Sequence, residues 1–235
     1  MGQQYKIDRL NLITYKGQKK KVVQALRCRY MAKSHVVKCN AQSKMFDYVN
    51  FRGSHFKKVN FIDAAFYGCD FWGTSFRDCN FQNTQFRNCI FMASIFKNCD
   101  FTGASFSYCV IVNTNLSECQ NIDVSSGVEL HSTYPTFDLT PDLQAALDVL
   151  KSNKNLRKNK VLFISDTKHN QLNLFLLQRQ YRTRLPQLLL ELNNHSTAKI
   201  TTYKKIEREL NKLLKSDIIY LSRPTQSRGC GANET

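Results

Sequence analysis

The chain has 235 residues, with 34 Lys or Arg against 18 Asp or Glu, and its formal net charge is +16. This length accommodates one domain of moderate size and a smaller one, and no run of eighteen apolar residues predicts a transmembrane helix. The positive charge favours an acidic partner and excludes a surface that imitates the acidic backbone of DNA.

The charge is concentrated at the two ends of the chain. Residues 1–44 contain eleven Lys or Arg and one acid, residues 45–123 six against seven, and residues 124–235 seventeen against ten. The segment 1–33 combines apolar residues with the run Lys19, Lys20 and Lys21. We expect this segment to cap the regular region that follows, and its basic run is either a solvated surface or a contact for phosphate.

The next segment has a strict period of five residues. Phenylalanine occupies every fifth position from Phe46 to Phe106, and Ile111 and Leu116 continue the period. From Val49 to Thr114 the residue two positions before each repeating large residue is small, and Asn or Asp often comes directly before the Phe, as at Asn80. Because helices repeat near 3.6 residues and strands near 2, this period predicts a repeat architecture in which each unit is one side of a coil.

Over residues 34–123 the pattern resembles the pentapeptide-repeat family. The resemblance implies a right-handed β-helix of square cross-section, with five residues per side and twenty per coil. We therefore expect a β-solenoid of about four to five coils. Residues 140–222 are predicted separately, from their helical patterns, to form a mainly α-helical C-terminal domain. An inward Phe and an inward small residue on each side would fill the narrow lumen at the density of a protein interior.

Gyrase-protecting, quinolone-resistance members of this family resemble duplex DNA in shape and negative charge. The present chain is strongly basic and its repeat region is close to neutral. This charge argues against topoisomerase binding by DNA mimicry.

Six of the nine cysteines recur at intervals of ten residues, which stacks them in two columns of a twenty-residue coil. These residues are Cys69, Cys79, Cys89, Cys99, Cys109 and Cys119. Parallel thiols in a column are poorly placed for disulfides, and they do not converge on a metal ion. We expect them to be buried free thiols of a protein in a reducing, cytoplasmic compartment.

Residues twenty apart share one outer side of the coil, which defines two candidate surfaces. The apolar face consists of Trp72, Ile90, Met92, Val110 and Val112. The basic ladder consists of Lys57, Lys58, Arg77 and Lys97, and it is either a binding surface or a solvated row whose charge Asp78 and Glu118 offset. An apolar patch of this size needs cover. The sequence leaves open whether the cover is the C-terminal helices, the N-terminal segment, a second copy in a homodimer, or another partner.

The C-terminal part begins with a Ser-, Gly- and Pro-rich linker at 124–139. Helical patterns follow, together with one strand-like apolar stretch at 161–164 and a second basic set. The predicted helices run from Pro141 to about Lys151, over 169–182, from Pro186, and over 202–216. The second basic set is Lys154, Arg157, Lys158 and Lys160. Residues 223–235 are predicted to be a disordered tail that contains Cys230.

The chain has no recognisable catalytic motif, since its five histidines are scattered and no Gly-rich phosphate loop occurs. We expect no enzymatic activity, no cofactor, no metal and no membrane association. The first hypothesis is a protein-binding scaffold or adaptor whose basic flanks engage an acidic partner. The alternative is a nucleic-acid-binding protein that uses the same basic N-terminal and C-terminal segments.

Overall fold

A computed structural model describes residues 9–221, with side chains described for residues 9–216. The predicted disordered tail, with Cys230, and residues 1–8 of the predicted cap lie outside the described residues.

A parallel β-solenoid of about six turns is followed by helices. Its strands are β1 Asn11–Ile13, β2 Leu26–Arg27, β3 His35–Val37, β4 Met45–Asp47, β5 His55–Lys57, β6 Ala65–Tyr67, β7 Asp70–Trp72, β8 Ser75–Arg77, β9 Gln85–Arg87, β10 Ile90–Met92, β11 Ile95–Lys97, β12 Ser105–Ser107, β13 Cys109–Val112 and β14 Val128–His131.

Strands twenty residues apart pair in parallel, so the coil has four sides. The ladder side is the sheet β1-β3-β5-β8-β11, and the covered side is the sheet β7-β10-β13-β14. The covered side is extended by bridges that join Tyr30 to Asn50 and Asn50 to Asp70. The tyrosine side is the sheet β2-β4-β6-β9-β12, and the bridge side is held by isolated pairs such as Asn60 with Asn80.

The lumen is filled by columns of phenylalanine rings. Phe81 is fully buried and stacks between Phe61 and Phe101, with ring centroids 5.0 and 4.9 Å away. The small inward residues also satisfy backbone groups, since the Thr84 hydroxyl donates to the Phe61 carbonyl at 2.7 Å. Cys79 donates its thiol to the Phe56 carbonyl in the same way, at 3.6 Å. A small residue with a polar hydrogen is therefore favoured where the lumen leaves a carbonyl without a backbone donor.

The corners of the coil repeat with the same period of five. Each of the eighteen corner residues from Cys28 to Asn113, two positions after the inward large residue, has a positive φ. Ten of them are Gly, Asn or Asp, the residues that tolerate the left-handed conformation best. The repeat therefore specifies both the packing of the lumen and the direction of each turn.

The solenoid has more turns than the expected four to five because its first and last turns lack the Phe period. Strand β1 pairs with β3 at an offset of 24 residues, as in Asn11 with His35, whereas β3 pairs with β5 at an offset of twenty. The four additional residues lie in an insertion after β1 that contains Gly17 at φ +80°. At the other end, β14 arises within the predicted linker and pairs with β13.

The helices form a second core. They are α1 Pro141–Leu150, α2 Lys154–Lys158, α3 Gln171–Tyr181, the 3-10 helix Arg182–Arg184, α4 Leu185–His195 and α5 Tyr203–Leu221. The Thr140 hydroxyl accepts from Leu143 N–H and caps α1. In the described range, no helix is both long and apolar enough to cross a membrane.

The strand expected at 161–164 does not form. Val161, Leu162 and Phe163 are buried in the helical core, and Phe163 makes a single antiparallel bridge with His169. A short apolar run does not by its pattern alone specify a strand, and among the described residues no neighbouring strand extends the pairing beyond that bridge. The last helix also runs to Leu221, beyond the predicted end at residue 216.

Candidate functional site

The apolar face lies beneath helix α3. Ile90, Met92 and Val112 form one buried cluster with Leu172 and Leu176 of this helix. The remaining members of the face, Trp72 and Val110, are partly buried against the same cluster. The cover is therefore intramolecular and comes from the C-terminal helices, so this face is an internal junction rather than a free docking surface.

The same side continues toward the N terminus as a polar junction. The Asn50 side chain donates from Nδ2 to the carbonyls of Thr201 and Asn159, at 3.0 and 3.3 Å. The Thr201 hydroxyl donates back to the Tyr48 carbonyl at 2.6 Å. Asn50 is fully in register with Asp70 and Ile90, so steps of twenty residues could have identified it. The sequence interpretation missed it because Asn is also ordinary at outward positions of the coil.

Asp70 connects the solenoid to the start of α5. Its Oδ2 accepts from Tyr203 N–H at 3.0 Å, at the positive end of the helix dipole. Burial raises the pKa of Asp70 to about 7, although the Tyr203 N–H and Arg52 both favour the ionised form. The Arg52 guanidinium carbon lies 3.5 Å from the centroid of the Trp72 ring, in a cation–π contact. Burial also lowers the pKa of Arg52.

A third contact fixes α3 to the last strand of the solenoid. Arg179 donates from both terminal nitrogens to the two carboxylate oxygens of Glu129, at 2.6 and 2.8 Å. Arg179 is the main cause that lowers the pKa of Glu129 to about 2, with a contribution from His131. Because two parallel hydrogen bonds join the side chains, the Arg179–Glu129 pair fixes the orientation of α3 on strand β14 as well as pairing their charges.

The basic ladder lies on the ladder side and is exposed. Lys57, Arg77 and Lys97 stand opposite one another on β5, β8 and β11. Lys97 forms an ion pair with Glu118 at 3.5 Å, so its charge is partly offset. Lys58 occupies the adjoining corner and is also exposed. The ladder is therefore most strongly basic in its N-terminal half.

The structure places the N-terminal run beside this half of the ladder. Thr14 N–H donates to the Val37 carbonyl and Asn40 N–H donates to the Lys21 carbonyl, at 3.0 and 2.8 Å. The insertion between these two contacts therefore lies beside Lys38, whose own N–H donates to the Lys57 carbonyl. Two basic sets that are separate in the sequence become one surface. We name it the basic cluster: Lys16, Lys19, Lys20, Lys21, Lys38, Lys57, Lys58 and Arg77.

The second basic set does not join this surface. Arg157 forms an ion pair with Asp166, and Lys160 is partly buried, which lowers its pKa. Lys154 is exposed and Lys158 is partly exposed on the short helix α2. The set is thus divided between the junction and an isolated helical turn.

Comparison with known proteins gives one family match. The family model for the pentapeptide repeat region matches residues 39–116. No curated protein sequence matches the chain.

The solved structures that are similar to this chain include two pentapeptide-repeat proteins and one fluoroquinolone resistance protein. A pentapeptide-repeat protein from the thylakoid lumen of Arabidopsis thaliana is 16% identical, with a TM-score of 0.35, over 66% of this chain and 88% of that one. Rfr23 from the cyanobacterium Cyanothece is 11% identical, with a TM-score of 0.21, over 43% and 59%. QnrB1, a plasmid-mediated fluoroquinolone resistance protein, is 13% identical, with a TM-score of 0.18, over 61% and 97%.

Proposed function

We propose that this chain, whose residues 39–116 belong to the pentapeptide-repeat family, is a non-enzymatic scaffold that binds an acidic protein through the basic cluster. The observation that carries the proposal is the concentration of eight exposed cations on the N-terminal half of the ladder side, its adjoining corner and the insertion. Among the described residues, no ion pair joins any of these eight side chains to a carboxylate. Their charge is therefore available to a partner.

The scaffold role is supported by the way the two parts of the molecule are joined. The helical domain packs on the covered side, through Leu172 and Leu176 and through the contacts of Asn50 and Asp70. The ladder side, with its row of cations on a regular parallel sheet, remains exposed. A repeat of this kind holds side chains at fixed spacings of about 4.8 Å between coils. Because the solenoid fixes the backbone in advance, mainly the side chains lose conformational entropy when a partner binds.

An acidic protein fits this surface better than a single-stranded nucleic acid. Single-strand binders combine cations with exposed aromatic rings on which bases stack. On the described ladder side, the outward neighbours of the cations are residues such as His35, His55 and Ser75. The exposed rings of this region are Tyr15 in the insertion and the imidazoles of His35 and His55, which meet edge to face and so do not form a flat stacking platform for successive bases.

A comparison of the affinities for an acidic polypeptide and for nucleic acids tests the proposal. We expect labelled poly-L-glutamate to bind more tightly than duplex DNA or RNA of matched length, measured by fluorescence anisotropy at low and at physiological salt. Gel shifts with the same nucleic acids serve as the parallel measurement. Tighter nucleic-acid binding that persists at physiological salt would contradict an acidic protein partner and favour the nucleic-acid function.

A cytoplasmic location is part of the same proposal. Its support is the set of buried free thiols in the lumen, since burial raises the pKa of Cys89 and of Cys79. Thiols held in the protonated form inside the solenoid suit a reducing compartment. Labelling with a thiol reagent before and after denaturation, on protein taken directly from cells, tests it. Disulfides in the native protein would contradict it.

A further inference from the structure

A cavity of about 480 Å³ lies where the solenoid, the linker and the helical domain meet. Trp72 and Met92 of the covered side form one part of its wall, and Phe137 and Leu139 of the linker form another. Ile164 and Leu172 contribute from the helical domain. The volume falls within the range of about 300–1,000 Å³ that is typical of small-molecule sites, and such sites often lie at domain interfaces.

The polar part of the cavity lining comes mainly from one short stretch, residues 167–171. Lys168 is the only charged residue among those that line the cavity in the described chain, and it is exposed. His169 lies next to it, with a pKa lowered by burial and by Lys151. Its Nε2 atom is buried and has no hydrogen-bond partner among the described residues. An unsatisfied buried nitrogen of this kind is unusual, and it adds to the polar character of this end of the cavity wall.

The stretch is held by its own backbone. Ile164 and Ser165 both donate their N–H groups to the Lys168 carbonyl, at 2.8 and 3.2 Å. The Ser165 hydroxyl accepts from Lys168 N–H at 3.1 Å. The polar wall is therefore formed before any ligand binds, which reduces the entropy cost of binding.

We propose that this cavity binds a small amphiphilic molecule with an apolar body and one anionic head group, of the class of medium-chain carboxylates. The apolar body would lie against Trp72, Phe137 and Leu139. The head group would face Lys168, the exposed cation of the lining. No carboxylate lines the cavity in the described chain, so the charge of the site complements an anion. The site is independent of the basic cluster and of the proposed acidic partner.

Trp72 is the only tryptophan of the chain, so its emission reports on the cavity directly. The experiment titrates the full-length protein with decanoate, below the concentration at which decanoate forms micelles. Trp72 fluorescence and isothermal titration calorimetry are the two readouts. We expect saturable binding of one decanoate per chain and a rise in Tm, because a ligand that binds only the folded state stabilises it. The absence of saturable binding by both readouts would overturn the proposal.

Two substitutions at the rim test where decanoate binds. Thr167 and Gln171 are exposed and line the cavity, so Thr167→Phe with Gln171→Phe narrows it without disturbing the helical core. The matched control is Thr183→Phe with Gln187→Phe, which are exposed positions outside the cavity lining. We expect the first pair to weaken decanoate binding at least about tenfold and the control pair to leave it unchanged. Equal affinities in both pairs would place decanoate elsewhere and overturn the site.

Lys168→Gln tests whether Lys168 binds the anionic head group. This single variant also keeps the proposal testable if the double variant does not fold. We expect it to weaken decanoate binding about tenfold and to leave the binding of decanol, which has the same chain without the charge, unchanged. Equal losses for both ligands, or no loss for decanoate, would overturn the assignment of Lys168 to an anionic head. Circular dichroism melting confirms in each case that the variant is folded.

Discussion

Asp70 is a buried carboxyl at the point where helix α5 begins. It is 8% exposed, it accepts the Tyr203 N–H, and Arg52 is the charged neighbour that acts on it. Burial disfavours its ionised form more than these two partners favour it, which is why its pKa is raised to about 7. The junction of the two domains thus contains a group that titrates near neutral pH.

This raised pKa gives the protein a pH-dependent stability. Between the unfolded pKa of about 3.9 and the folded value of about 7, the native state binds more protons than the unfolded state. The stabilising contribution is therefore complete below about pH 4 and is lost as the pH rises through 7. Over this range we expect the free energy of unfolding to fall by an amount on the order of 4 kcal/mol because of Asp70.

Asp70→Asn is the variant that isolates this effect. The amide does not titrate, and its oxygen still accepts from Tyr203 N–H. We expect the variant to be the more stable protein at pH 8 and to lose the pH dependence assigned to Asp70. Urea denaturation of both proteins at a series of pH values measures this. Parallel stability curves would show that Asp70 titrates at its ordinary pKa.

Phe81 represents the phenylalanine columns. It is fully buried between Phe61 and Phe101, in a lumen whose stacked neighbours cannot easily move together to fill a gap. We expect Phe81→Ala to destabilise the protein by about 3–5 kcal/mol, as measured by denaturation. Ile95→Ala, at an outward position that is 51% exposed, is the control and should cost less than about 0.5 kcal/mol. Equal effects of the two changes would contradict an inward phenylalanine column.

Two corner glycines of the coil differ in whether helix α5 packs against them. Comparing them separates the energetic effect of that packing from the effect of backbone strain. Gly68 has φ +60°, and a Cβ atom there would lie 3.0 Å from Lys204 Cβ and 3.0 Å from Tyr48 Cδ1. Gly73 has nearly the same φ, +59°, but no atom of the described residues lies within 4 Å of a Cβ atom at that position. The two glycines therefore share the strain of a left-handed residue and differ in the contact with α5.

We predict that Gly68→Ala costs more stability than Gly73→Ala. Both should lose about 1–2 kcal/mol from the left-handed conformation, and Gly68→Ala should lose more because Lys204 and Tyr48 must shift. Hydrogen exchange should also show faster exchange of α5 amides in Gly68→Ala alone. Equal losses, with no change in α5, would mean that the helix does not pack closely on this corner.

The elements of the repeat were predictable because a strict period leaves few alternatives. The inward Phe columns follow from the five-residue spacing, and the helix that starts at Pro141 follows from the Thr140 cap. The first turn was missed because an insertion of four residues after β1 breaks the period before it becomes visible. Strand β14 was missed because Leu130 and its neighbours lie in a Ser- and Gly-rich stretch that is typical of a linker.

At the scale of the whole molecule, the sequence predicted that the apolar face needed cover but did not predict which element supplied it. Helix α3 has apolar residues on more than one side, since Leu174 and Leu177 pack in the helical core while Leu172 and Leu176 pack on the solenoid. Its periodicity alone could not separate the two surfaces. The basic cluster was equally hidden, because Lys19 to Lys21 approach Lys57 and Lys58 only through the pairing of the first turn.

Under the proposed function, the basic cluster is the surface on which an acidic partner docks. The most direct test compares Lys19→Glu/Lys20→Glu/Lys21→Glu with Lys154→Glu/Arg182→Glu/Lys199→Glu, three exposed cations outside the cluster that give the same change in net charge. Poly-L-glutamate affinity at physiological salt is measured for both variants and the wild type. We expect a loss of at least about tenfold in affinity for the cluster variant and a much smaller loss for the control. Equal losses in the two variants would show that binding depends on net charge alone and would contradict the claim.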